Sequence, residues 1–73
     1  MQISYDREAD AVYIRLREGD FQCRTVRVTG DIALDFAAGE QLIGIEVLGA
    51  SHLFSNPEAP FVELKHLLPQ VAA

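Results

Sequence analysis

The chain has 73 residues, with eleven Asp and Glu against six Lys and Arg, for a formal net charge of −5. That balance repels phosphate, and with no Lys/Arg cluster to offset it the domain alone is not expected to bind nucleic acid directly. A chain this short buries only about 60% of the surface it exposes when unfolded, so it has room for one small core.

Such a core supplies roughly 3–5 kcal/mol of net stability unless something reinforces it. Cys23 is the lone cysteine, which rules out an intrachain disulfide and a four-cysteine zinc site. Self-association is the remaining common reinforcement, and a homo-oligomer, a dimer first of all, is expected. No apolar run approaches the ~20 residues of a membrane span, so no membrane partner is expected. The N-terminus reads as strand rather than as a charged leader with an apolar core, and with one free thiol this places the protein in the cytoplasm as an expectation.

In chain order, Ile3 and Tyr5 alternate with Gln2 and Ser4 in a first strand. The polar turn 6–10 follows, where the Asp6 carboxylate can accept amide hydrogen bonds from residues two and three positions on. Strand two covers 11–17, with Val12, Ile14 and Leu16 inward and Tyr13, Arg15 and Arg17 outward. Glu18-Gly19-Asp20 has the form of a three-residue hairpin loop. Strand three, 21–28, changes parity between Cys23 and Val26, which predicts a β-bulge near Arg24-Thr25. Thr29-Gly30-Asp31 closes a hairpin into Ile32, Leu34 and Phe36, and the turn 37–40 leads to strand five, 41–48.

After Gly49 the period changes. Asn56-Pro57 and Pro60 are helix-start signals, and Phe61, Leu64 and Leu68, with Leu67 beside them, recur at helical spacing until Pro69. The expected fold is α+β, mostly β. It is a five-stranded, largely antiparallel meander over 1–48, then a turn and one short C-terminal helix over 49–73, in a single domain. One apolar sheet face, formed by the even positions of strands two and four with Ile43, Ile45 and Val47, calls for a cover from the helix or from a second subunit.

Three blocks carry a likeness to other proteins. They are Ile3-Ser4-Tyr5-Asp6 with 8–14, Ile32-Ala33-Leu34-Asp35 with Gly39, and 44–51, Gly-Ile-Glu-Val-Leu-Gly-Ala-Ser. In this combination and order the chain resembles bacterial domain-of-unknown-function family 2283 over residues 2–53. The resemblance implies a small β-rich domain without an assigned reaction. It also implies kinship with short stand-alone bacterial proteins, some encoded beside putative toxins. It supplies no catalytic residues, and the tail after Ser55 lies outside it.

The candidate chemistry each has a plainer explanation. Asp6-x-Glu8-x-Asp10 alternates like a calcium loop but has Ala11 and Arg17 where glycine and glutamate are needed, so a turn-stabilising carboxylate pair is the expectation. Cys23 falls on the apolar parity, like a small buried hydrophobe. His52 and His66 lack a local partner at ligand spacing, so neither a metal nor another cofactor is expected. Ser51 has no nucleophile-elbow glycine pattern and is expected to cap the following turn. Asp31, Asp35 and Glu46 should share the outward face with Arg15, Arg17 and Arg27, where cross-strand charge pairs account for them. Gly44 is costly mid-strand unless a neighbour such as Tyr13 lies over it.

The sequence therefore points first to a non-enzymatic interaction protein: a small acidic oligomer that binds another protein, with a basic toxin in an antitoxin-like role as the specific form of that expectation. The alternative is a small enzyme or ligand-binding protein whose pocket, between subunits, is lined by Tyr13, Arg27, Asp35 and Glu46.

Overall fold

A computed structural model describes residues 1–54, 56, 63 and 65. Five strands form one sheet: β1 (Gln2–Asp6), β2 (Ala11–Arg15), β3 (Arg24–Arg27), β4 (Ile32–Ala37) and β5 (Gln41–Leu48), followed by a 3₁₀ turn, Ala50–His52. All neighbours are antiparallel, in the order β1-β2-β5-β4-β3. The described residues contain no α-helix, so the described architecture is a β-sheet with one 3₁₀ turn rather than α+β. The expected helix over 61–68 lies outside the described residues except at Glu63 and Lys65, which are exposed and carry no regular structure.

The strand order departs from a plain meander. β5 inserts beside β2, pairing Val12 with Val47 and Ile14 with Ile45, and pushes β3 to the far edge. Glu18-Gly19-Asp20 is therefore not a hairpin loop, although Gly19 does adopt a left-handed φ of 112°. The connection 16–23 instead runs along the end of the sheet past β5 and β4, three strand spacings or about 14 Å. Phe21 and Cys23 belong to that connection, and β3 begins only at Arg24. This removes the parity conflict that suggested a bulge at Arg24-Thr25.

The register irregularity lies elsewhere. Asp35 pairs with Gly44 but Phe36 pairs with Leu42, which leaves Ile43 as the extra residue. With one residue inserted, Leu42 joins Ile45 and Val47 opposite the apolar positions of β4 despite its even number. Ile43 is 2% exposed, and its carbonyl accepts a 2.7 Å bond from the Leu16 amide.

The pairings sort the side chains into two faces. Ile3, Tyr5, Val12, Ile14, Val26, Ile32, Leu34, Phe36, Leu42, Ile45 and Val47 share the apolar face. Gln2, Ser4, Tyr13, Arg15, Thr25, Arg27, Ala33, Asp35, Gly44 and Glu46 share the other. Every extensive contact between described elements is between neighbouring strands. The apolar face is thus one layer deep in the described residues, with Ile3, Tyr5, Leu16, Phe21 and Val28 more than a third exposed.

Candidate functional site

The polar face brings the four sequence-singled residues Tyr13, Arg27, Asp35 and Glu46 onto one surface. Tyr13 sits beside Glu46 in the β2–β5 register and leans diagonally across Gly44 toward β4. Its hydroxyl donates to Asp35 Oδ2 at 2.8 Å, while Thr25 Oγ1 donates to Asp35 Oδ1 at 2.6 Å. One carboxylate on β4 is therefore held by a phenol from β2 and an alcohol from β3. A Cβ built on Gly44 would overlap the Tyr13 hydroxyl and Cζ and come within 2.9 Å of Cε2. Glycine at this position makes room for the ring, as the sequence suggested. Burial, reinforced by the hydrogen bond to Asp35 and its negative charge, pushes the Tyr13 phenol up to about 12. At neutral pH it is a fixed hydrogen-bond donor rather than a proton-transfer group.

Arg27 and Glu46 meet at 3.6 Å over Ala33, which the register places between them and which is 2% exposed. Both charged side chains are roughly half exposed, so the pair contributes about 0–1 kcal/mol. Its geometric effect is to roof a small residue that a larger one would displace. The expected charge pairing on this face thus appears for Arg27 and Glu46. Arg15 instead donates from Nε to the Arg17 carbonyl, and Asp31 acts through its backbone. Tyr13 and Glu46 line a groove of about 280 Å³ with Ser4, Asp6 and Leu48, and Arg27 and Asp35 stay outside it; a larger cavity of about 500 Å³ lies between Gln2, Arg15 and the start of the 16–23 connection, and it too excludes Arg27 and Asp35.

A second cluster, not foreseen as a unit, lies at one end of the sheet. Asp10 has a left-handed φ of 49°. Its Oδ1 accepts from the Tyr5 hydroxyl at 2.8 Å and the Ser51 amide at 2.9 Å, and its Oδ2 from the Ser51 hydroxyl at 2.7 Å. The Asp10 carbonyl also accepts from the Ala50 amide at 3.0 Å. The Ser51 hydroxyl and the Tyr5 hydroxyl, in that order, hold the Asp10 carboxyl below the usual range. Ser51 therefore does not cap the 3₁₀ turn; Gly49 occupies the N-cap in the left-handed region, and no side chain caps it. Asp6 behaves as expected, its Oδ1 accepting from the Glu8 and Ala9 amides at 3.0 and 3.2 Å.

These bonds satisfy the loop carboxylates with protein donors. Among the described residues no three His, Cys, Asp or Glu side chains converge as a metal site would require. Cys23 is exposed in the 16–23 connection, contrary to the expectation of burial. His52 closes the 3₁₀ turn, and His66 lies outside the described residues.

What sequence reasoning missed was the link from Asp10 to Ser51, 41 positions apart. The signal available was that both belong to blocks carrying the family likeness. No described helix is long and apolar enough to cross a membrane. No curated protein and no solved structure matches the chain. A family model described as "Protein of unknown function (DUF2283)" matches residues 2–51, which include Tyr5, Asp10, Tyr13, Asp35, Gly44 and Ser51. The chain belongs to that family.

Proposed function

We propose that this protein is a non-enzymatic interaction module that works as a homo-oligomer inside the cell and binds a second protein. The observation that carries this reading is the contrast in satisfaction between the two faces. On the polar face the candidate acid–base groups are committed to one another, Tyr13 and Thr25 to Asp35 and Arg27 to Glu46. The other face is a single layer in the described residues, and the large apolar side chains of Leu16 and Val28, one residue beyond β2 and β3, remain exposed. A sheet with one apolar side is a surface to be covered, and exposed apolar patches mark interaction sites.

The formal charge of −5 favours a basic partner, and the antitoxin-like role is the specific form of this reading in which that partner is a toxin. Cytoplasmic residence is supported by the lone, exposed Cys23 thiol.

The test is affinity capture from the source organism with the wild-type chain and with Leu16→Glu and Val28→Glu baits, followed by mass spectrometry. The reading expects one small basic protein held by the wild type and released by the face variants, with saturable binding between the purified components. Capture unaffected by either substitution, or no specific capture, would count against it.

A further inference from the structure

Among the described residues the sheet has two edges, and they are built differently. The β3 edge is short, four residues, and begins and ends with arginine. Arg24 reaches Glu40 at 2.6 Å and lies 5.1 Å from the centre of the Phe36 ring, while Arg27 reaches Glu46. Charges along an edge are a recognised protection against strand addition. The β1 edge has none until its last residue: Gln2-Ile3-Ser4-Tyr5-Asp6, exposed at every position, with no proline, lysine or arginine. Its five residues pair with β2 in unbroken register, so no bulge twists the outer row of backbone groups away.

We infer that β1 is the self-association edge, pairing antiparallel with β1 of a second copy about a two-fold axis centred on Ser4. The occupant is argued from the strand itself. Centred on Ser4, the pairing sets Ile3 opposite the partner's Tyr5, a β-branched–aromatic pair, and Gln2 opposite the partner's Asp6, an amide beside a carboxylate. Centring on Asp6 instead would oppose two carboxylates. Ser4 then faces its own counterpart on the polar side, and the apolar faces of both copies fall on the same side, because directly opposed residues of a ladder share a face.

Five strands from each copy make one ten-stranded sheet. Both of its outer edges are the arginine-guarded β3, so growth stops at closure of the two-fold. This deepens the oligomeric part of the function proposed above by naming its surface. It also doubles the apolar face offered to a partner.

The experiment measures the mass of the full chain in solution by sedimentation equilibrium, for the wild type and Ser4→Lys. Ser4 is exposed, so the substitution spares the apolar side while setting two ammonium groups against each other across the proposed axis. The expected result is a wild-type mass twice the 8.1 kDa of the chain, or a higher even multiple, halved in Ser4→Lys with the β-sheet circular dichroism retained.

In a Cys23→Ser background, Ser4→Cys should form a covalent dimer with oxidised glutathione much faster than a Gln22→Cys control. That comparison decides the matter if Ser4→Lys does not fold. A monomeric wild type, a mass unmoved by Ser4→Lys, or cross-linking no faster than the control would overturn the inference. The Leu16→Glu and Val28→Glu baits leave β1 untouched, so loss of partner capture with the dimer intact separates failure of the face reading from failure of the edge.

Discussion

The two faces of this sheet solve the same geometric problem with opposite chemistry. On the polar face the small residues Gly44 and Ala33 sit at the centre, and longer side chains from flanking strands fold over them: Tyr13 over the glycine, Arg27 and Glu46 over the alanine. That face supplies its own second layer, by bending neighbours inward and letting their polar ends find one another. The apolar face has side chains of nearly uniform size in its central row, Ile14, Ile45 and Leu34 across three adjacent strands, with Tyr5 and, beside Arg24, Phe36 in the flanking rows. Such a row packs well sideways, but branched aliphatic side chains cannot fold over one another to exclude water. The lesson is that self-coverage needs a mixture of very small and very long residues. A face whose central row is uniformly aliphatic leaves the closure of that row to another layer.

The largest test of this contrast is Ile45→Asp. Ile45 lies between Ile14 and Leu34 at the middle of the apolar face. Ile45 is partly buried, and a carboxylate there has no donor within its row, so lost apolar burial and partial desolvation together draw on the roughly 3–5 kcal/mol available to a chain of this length. The expected outcome is an unfolded chain by circular dichroism, at neutral pH and without denaturant. A folded monomer with a cooperative melt would show that the face was assigned to the wrong side.

The polar face should break differently, by overpacking. Gly44→Ala brings a methyl group into the Tyr13 hydroxyl and ring, and the strain should cost about 1–3 kcal/mol in chemical denaturation. The sharper measurement is the double-mutant cycle. With Tyr13→Ala the obstruction is gone, so Gly44→Ala should become neutral or slightly stabilising, since alanine suits a strand interior better than glycine. Equal costs in both backgrounds would show that Tyr13 is not what requires the glycine.

How much of this was legible beforehand depends on the range of each interaction. β5 was readable at both ends, because turn signals bracket it and its alternation runs through Ile43, Ile45 and Val47. Glycine mid-strand announced a close neighbour, and Tyr13 is that neighbour. Strand order was not readable: Glu18-Gly19-Asp20 reports a local reversal, whereas the choice of β5 as partner for β2 is made by Val47 and Ile45 more than thirty residues away. The bulge was misplaced for a related reason. Parity in 21–28 can break because a strand bulges or because part of the segment is not strand at all, and residues 21–23 are the latter. Parity put Tyr13, Arg15, Arg27, Asp35 and Glu46 on one face, as the register does, whereas Arg17 and Asp31, grouped with them, fall outside the strands. The hydrogen bonds among them needed the register.

Asp10 tests the end of the sheet, where neither face decides. Asp10→Asn keeps a residue that tolerates the left-handed backbone while removing the carboxylate that holds Tyr5 and both groups of Ser51. The melting temperature should fall by several degrees, less than for Gly44→Ala, with the 50–54 amides losing hydrogen-exchange protection first. The sign with pH follows from the lowered carboxyl. Its stabilisation is complete above the unfolded value of 3.8 and is lost as pH falls toward the lower folded value. The wild type should therefore lose stability on acidification through that window more steeply than Asp10→Asn.

The smallest expected effect belongs to Tyr13→Phe. It removes the hydroxyl that donates to Asp35 but leaves the ring over Gly44 and the Thr25 bond in place. A part-buried bond of this kind is worth about 0.5–1.5 kcal/mol at neutral pH, measured as a shift in denaturant midpoint at constant slope. The pH dependence distinguishes this from a generic surface change. A phenol raised in the folded state stabilises the fold fully below its ordinary value of 10, and that contribution disappears as pH climbs through about 12. The wild-type advantage over Tyr13→Phe should therefore be constant from neutrality to about pH 10 and vanish across the following two units. In the same range the ultraviolet titration of the wild type should show a late phenol, absent from the variant. An advantage that fades before pH 10, or a Tyr13 that titrates as an ordinary phenol, would mean that the polar face does not shield its own second layer from water.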